Sequence, residues 1–148
     1  MSYQEWRSLL SLISAILIPV FFSAIRLQSY PNVDAYAPDV FRFWGEFFMI
    51  LVAVSIVARI VIHIIFSILH TIATRQAEPD ITDERDRLIE LRSTRNALYV
   101  FGLGFLLAMG TLALDQPPTM MFLALLLTGM MSEIVSDASQ FIAYRRGF

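Results

Sequence analysis

Ionisable side chains interrupt two of the longest apolar stretches of this sequence. Arg59 and His63 stand one helical turn apart within SIVARIVIHIIFSILHTI, and Glu133 and Asp137 have the same spacing within MMSEIVSDASQFIAYRRGF. Because helical residues advance by about 100°, each pair lies on one face of its helix. An arginine or histidine that faces a carboxylate forms an ion pair, and histidines with carboxylates at membrane depth also form proton relays.

The spacing predicts that the two faces meet. We count residues inward from the outer ends of the two helices, near Gly45 and Thr119. Arg59 and Glu133 then lie at the same depth, and His63 and Asp137 lie together one turn further in. An unpaired charge in hydrocarbon costs at least about 2.5 to 3.5 kcal/mol, so pairing is favoured. We call the predicted set the polar ladder. Its members are Arg59, His63, Glu133, Asp137 and Gln140.

Three interpretations of the polar ladder remain open at the level of sequence. The charges form a static ion pair that fixes the register of two helices, they relay protons or ions, or Arg59 extends independently to the membrane interface. A metal site is not expected, because His63 and His70 are about 10 Å apart along a helix, too far to share one ion. No cofactor is expected either.

The composition explains which elements carry these residues. The chain has 148 residues, of which 57% are hydrophobic and 16% charged, and its mean hydropathy is +0.63. These values favour a lipid solvent, and each of four stretches reaches the roughly 20 residues that a bilayer crossing needs. The predicted fold is all-α, a single polytopic transmembrane domain over residues 1–148, with helices at about 8–25, 47–71, 96–114 and 118–142.

Charge distribution predicts the orientation. All eleven basic residues are arginines, and eight fall at the termini or between the second and third spans, whereas Arg26 and Arg42 alone fall in the predicted outer loop 26–46. The positive-inside rule therefore places both termini in the cytoplasm. The outer loop contains aromatic residues that suit a belt at the membrane interface: Tyr30, Tyr36, Phe43 and Trp44. The dispersed charge predicts no nucleic-acid partner, and the absence of cysteine excludes disulfides and thiol chemistry.

A cytoplasmic helix is predicted at about 80–95, leading into the third span. Acids in its first turn and arginines in its last match the helix dipole. It is either a solvated connector or a docking surface for a protein partner. The candidate docking residues are Asp83, Glu84, Arg85, Arg87, Glu90 and Arg92.

Two short motifs indicate a family. DERDRLIELRSTRNA at residues 83–97 and YRRGF at 144–148 resemble a family of small, uncharacterised four-helix prokaryotic membrane proteins. Members carry an Asp-Glu-Arg-rich cytoplasmic stretch and end in Tyr-Arg-Arg-Gly-aromatic. The resemblance implies a protein of the prokaryotic cytoplasmic (inner) membrane, and it brings no catalytic residue.

Helix packing is predicted from small residues and a turn. LDQPPT makes the third and fourth helices antiparallel neighbours, and Gly104 with Ala108 allows close helix approach, either within the chain or in a homodimer.

The functional prediction is a non-enzymatic membrane protein that acts as an interaction, regulatory or assembly component. The alternative is a small proton- or ion-coupled transporter or channel subunit that uses the intramembrane charges of the polar ladder. An intramembrane enzyme is the weakest option, because no nucleophile or catalytic metal arrangement is identifiable.

Overall fold

A computed structural model describes residues 3–74 and 84–146 of the chain, without the side chain of Thr74. This part is all-α and contains no β-strand. Four long helices follow one another, and a short 3₁₀ turn, Leu27–Ser29, extends the first. The helices are α1 (Tyr3–Arg26), α2 (Pro38–Thr74), α3 (Glu84–Ala113) and α4 (Pro118–Arg146).

All four helices are long and apolar enough to cross a membrane, which confirms the predicted number of spans. Their outward faces carry large apolar side chains, among them Met49, Leu107 and Ile72. A soluble protein of this size does not expose so continuous an apolar surface. The molecule therefore has the surface of a multi-pass membrane protein.

The helices are longer than hydropathy predicted. α2 begins at Pro38 rather than 47, because Val40, Phe43, Trp44 and Phe47 are buried at the helical spacing of three and four. α3 runs without a break from Glu84 into the third span, so the described part of the predicted connector helix and that span are one element. Residues 80–83 of that connector lie outside the described residues.

The packing order leaves one side of the bundle open. α4 packs along both α1 and α3, α1 also packs against α2, and α2 meets α4 at few positions. Within residues 3–74 and 84–146, α2 and α3 do not contact one another. Three sides of the four-helix arrangement are thus closed by helix–helix packing and the fourth is not.

α3 and α4 pack closely, as the turn between them predicted. A Cβ at Gly104 would overlap the side chain of Thr128, and Ala108, one turn further along, is fully buried. In the turn, Asp115 adopts a φ of 55°, a conformation that aspartate tolerates. The small-residue pair therefore serves packing within the chain.

An aromatic cluster fills the end of the bundle where α2 and α4 begin. Trp44 is fully buried and stacks on Phe122 with 5.5 Å between ring centroids and 12° between planes. The Tyr30 hydroxyl is 2.7 Å from the hydroxyl of Thr119. Of the four aromatic residues predicted for an interfacial belt, Phe43 and Trp44 are buried within this cluster, whereas Tyr36 is exposed.

Candidate intramembrane site

An ion pair joins α2 and α4 midway along the bundle. Nη2 of Arg59 donates a hydrogen bond of 2.7 Å to Oε2 of Glu133, which confirms the predicted pairing. Glu133 lies fifteen residues after Pro118, about 22 Å along an α-helix, so the pair is far from both ends of α4. The cost of isolating either charge in hydrocarbon favours keeping the two together.

A second carboxylate lies beside this pair. Oδ2 of Asp137 is 3.9 Å from Nη2 of Arg59 and accepts a 3.0 Å hydrogen bond from the hydroxyl of Ser11 on α1. The Asp137 side chain is only 8% exposed. Three helices therefore contribute to one polar cluster, with a guanidinium between two carboxylates that are one helical turn apart.

Ser11 is a site residue that sequence reasoning missed. It belongs to a face of small side chains on α1, of which Ser8, Ser14 and Ala15 are buried. Small residues at helical spacing were the available signal, since they permit close helix approach. A serine among apolar residues does not by itself reveal that it will meet a carboxylate.

The remaining members of the polar ladder are His63 and Gln140. His63 lies close enough to Asp137 to interact with it electrostatically, as expected from their equal depth. His70, which is not a member of the ladder, packs against Tyr3 of α1, with 4.7 Å between ring centroids. Gln140 is half-buried on α4, and it is not among the described side chains that contact Arg59.

A cleft of about 490 Å³ ends at the ion pair. It lies on the open side of the bundle, where α2 and α3 are apart, and most of its wall is apolar. Arg59 and Glu133 supply its charged lining. The other lining residues are Pro19, Phe48, Leu51, Val52, Ser55, Ile56, Phe101, Phe122, Leu125, Leu126, Gly129 and Met130.

The ion pair has hydrogen-bonding capacity left over. A guanidinium carries five N–H donors, and among the described residues that of Arg59 makes a single hydrogen bond, the one to Glu133. The side chains of Arg59 and Glu133 are 27% and 43% exposed, respectively. Both a donor and an acceptor are thus available at the end of the cleft.

The described candidate docking residues lie on the first turns of α3. Glu84, Arg85, Arg87, Glu90 and Arg92 are all exposed there. Asp83 lies outside the described residues. Ile89 and Ser93 are buried, so the same turns expose Leu88 and Leu91.

Within the part of the chain that the structure describes, no group of three histidine or acidic side chains is placed to hold a metal ion. The His63, Glu133 and Asp137 arrangement does not form such a group. Its geometry supports charge pairing and hydrogen bonding.

Comparison with models of known families, with curated proteins and with solved structures finds no match. The resemblance to four-helix prokaryotic membrane proteins therefore stays a prediction that rests on its two motifs.

Proposed function

We propose that this is a non-enzymatic multi-pass protein of a prokaryotic inner membrane, with both termini in the cytoplasm, that acts as an interaction, regulatory or assembly component. The observation that supports this best is the surface at the start of α3. Leu88 and Leu91 are 56% and 59% exposed there, among charged side chains and outside the apolar part of the helix. Because the two leucines are three residues apart on a helix, they form one apolar patch surrounded by charged residues, and such patches are typical of contact surfaces.

The orientation of this surface is fixed by the packing of α3. Ile89 is buried, and Ser93, one turn further along, is also buried while its hydroxyl donates a 2.8 Å hydrogen bond to the carbonyl of Glu90. Leu88 and Leu91 consequently cannot turn inward without unpacking α3. We call these two leucines and the exposed charges around them the α3 docking surface.

The charge pattern of the α3 docking surface suits a protein partner. The exposed Arg85, Arg87 and Arg92 are interspersed with the exposed Glu84 and Glu90. Mixed signs around two leucines suit a protein surface of complementary charge pattern, where the leucines provide apolar contact area.

Site-specific photocrosslinking in native membranes tests this proposal. A photoreactive amino acid at position 88 or 91 should give the same discrete adduct, and Arg87→Glu combined with either should reduce its yield about tenfold, since misplacing a charge at an interface costs affinity. Leu103, on the apolar part of α3, is the control position. An adduct that also forms from position 103, or no adduct from 88 and 91, would contradict the proposal.

The alternative function is a proton- or ion-coupled transporter or channel subunit. Asp137 favours it, because a carboxylate beside Arg59, Ser11 and His63 within the membrane spans is typical of ion pathways. Flux in reconstituted vesicles that disappears in Glu133→Gln would support this alternative. Vesicles of the unaltered protein that show no flux would argue against it.

A further inference from the structure

We propose that the cleft between α2 and α4 is a binding site for a lipid-soluble molecule with one elongated apolar body and an uncharged hydroxyl head group. The head group lies against Arg59 and Glu133. This assignment is independent of the α3 docking surface, because it rests on a different face of the molecule.

The size of the cleft suits a small amphiphile. From Phe48 to Arg59 it extends over eleven residues of α2, about 16 Å. Its volume of about 490 Å³ is within the range of small-molecule sites.

The boundaries of the cleft show how such a molecule enters. The aromatic cluster around Trp44 and Phe122 closes one end, and the Arg59–Glu133 pair closes the other. The opening lies sideways, between α2 and α3, which face the hydrocarbon of the membrane. A ligand therefore enters from the bilayer rather than from water, and it must be lipid-soluble.

The charges of Arg59 and Glu133, at one end of the cleft, indicate the chemistry of the head group. An anionic head would face Glu133 and, behind it, Asp137, whereas a cationic head would face Arg59. A hydroxyl can accept a hydrogen bond from an unused N–H of Arg59 and donate one to Glu133. A hydroxyl head group therefore forms hydrogen bonds with both side chains and adds no charge to Arg59 and Glu133, the two charged residues that line the cleft.

Gly129 provides space for the apolar body. It lines the cleft, and a Cβ built on it would meet no other atom within 4 Å. A larger side chain at this position therefore projects into the cleft without disturbing the packing around it. Gly102 on α3 is equally open, but it does not line the cleft, so it is a matched control.

Photolabelling of the full chain in lipid nanodiscs tests the proposal. The probe is tetradecanol with a diazirine next to the hydroxyl group, and labelled peptides are identified by mass spectrometry. We expect labels on cleft residues near the ion pair, such as Ser55 and Met130. Unlabelled tetradecanol should compete about tenfold better than tetradecane or tetradecanoate, since a hydrogen bond to a charged group contributes about that factor.

Variants identify the cleft as the place of binding. Gly129→Leu should lower labelling about tenfold, and Gly102→Leu should leave it unchanged. If Gly129→Leu does not fold, Ser55→Leu on the opposite wall serves the same purpose. Unchanged labelling in the folded cleft variant, labels confined to the outer faces of the helices, or tetradecane that competes as well as tetradecanol would each overturn the proposal.

Discussion

The hydroxyl of Ser11 donates a hydrogen bond to the carboxylate of Asp137 across the contact between α1 and α4. This bond ties the first helix to the charged cluster that otherwise joins the second and the fourth. Because Asp137 is almost fully buried, its acceptor atoms depend on partners supplied by the protein. The α1–α4 contact thus contains a polar link between two predominantly apolar helices.

Replacing this hydroxyl should destabilise the bundle. Ser11→Ala removes a 3.0 Å hydrogen bond to Asp137, and we expect a loss of about 1 kcal/mol in the free energy of unfolding, measured in mixed micelles. Thr71→Ala is the control, because its hydroxyl bonds to a backbone carbonyl on an exposed part of α2. Equal losses in the two variants would show that Asp137 does not depend on Ser11.

The Arg59–Glu133 pair should show strong coupling in a double-mutant cycle. Glu133→Leu leaves Arg59 with only the more distant Asp137, and Arg59→Met leaves two carboxylates without a guanidinium. We expect each single substitution to cost about 3 kcal/mol and the double substitution to cost less than the sum of the two. Additive losses would indicate that the two side chains act independently.

Gly104 and Gly110 should respond in opposite ways to the same substitution. At Gly104 an added Cβ overlaps Thr128, so Gly104→Ala should separate α3 from α4 and cost about 1 to 3 kcal/mol of stability. At Gly110 a Cβ meets open space, and Gly110→Ala should be neutral or should stabilise the helix by up to about 1 kcal/mol. Thermal unfolding distinguishes the two variants. Adding Thr128→Ala should recover part of the stability lost in Gly104→Ala, because it removes atoms that the new Cβ overlaps. It should not stabilise Gly110→Ala.

The burial of Trp44 can be checked by fluorescence. In Trp6→Phe, emission comes from Trp44 alone, and we expect little quenching by acrylamide or by brominated lipids because other helices surround the ring. In Trp44→Phe, emission comes from Trp6, which is exposed, and quenching should be strong. Efficient quenching of Trp44 by brominated lipid would restore the interfacial position that the sequence suggested.

The main ion pair could be predicted from sequence because two simple periodicities agree. Arg59 and Glu133 stand at matching positions in stretches that must both be helical, and the penalty for unpaired charge in lipid favours their contact. The neighbouring helices α3 and α4 could be predicted from the tight turn that joins them. Both inferences use the local geometry of helices and turns. The first also uses the large free-energy cost of an unpaired charge in lipid.

The open side of the bundle could not be predicted in this way. Hydropathy identifies residues that avoid water, but lipid and helix interiors are equally apolar, so it does not say which helices touch. The start of α2 was missed for the same reason, because a buried tryptophan and an interfacial one look alike in a sequence. Trp44 packs inward against Phe122, which lies far away in the sequence, and against Tyr30.

The continuity of α3 has a mechanical consequence. Its thirty residues form one rod of about 45 Å, with Leu88 near one end, Phe101 beside the cleft, and Gly104 pressed against Thr128. Because α3 is one unbroken helix, a displacement of one end also moves the rest of it. The close contact between Gly104 and Thr128 is the point about which α3 would tilt. A partner that moved the leucines of the proposed docking surface would therefore also shift Phe101 beside the cleft.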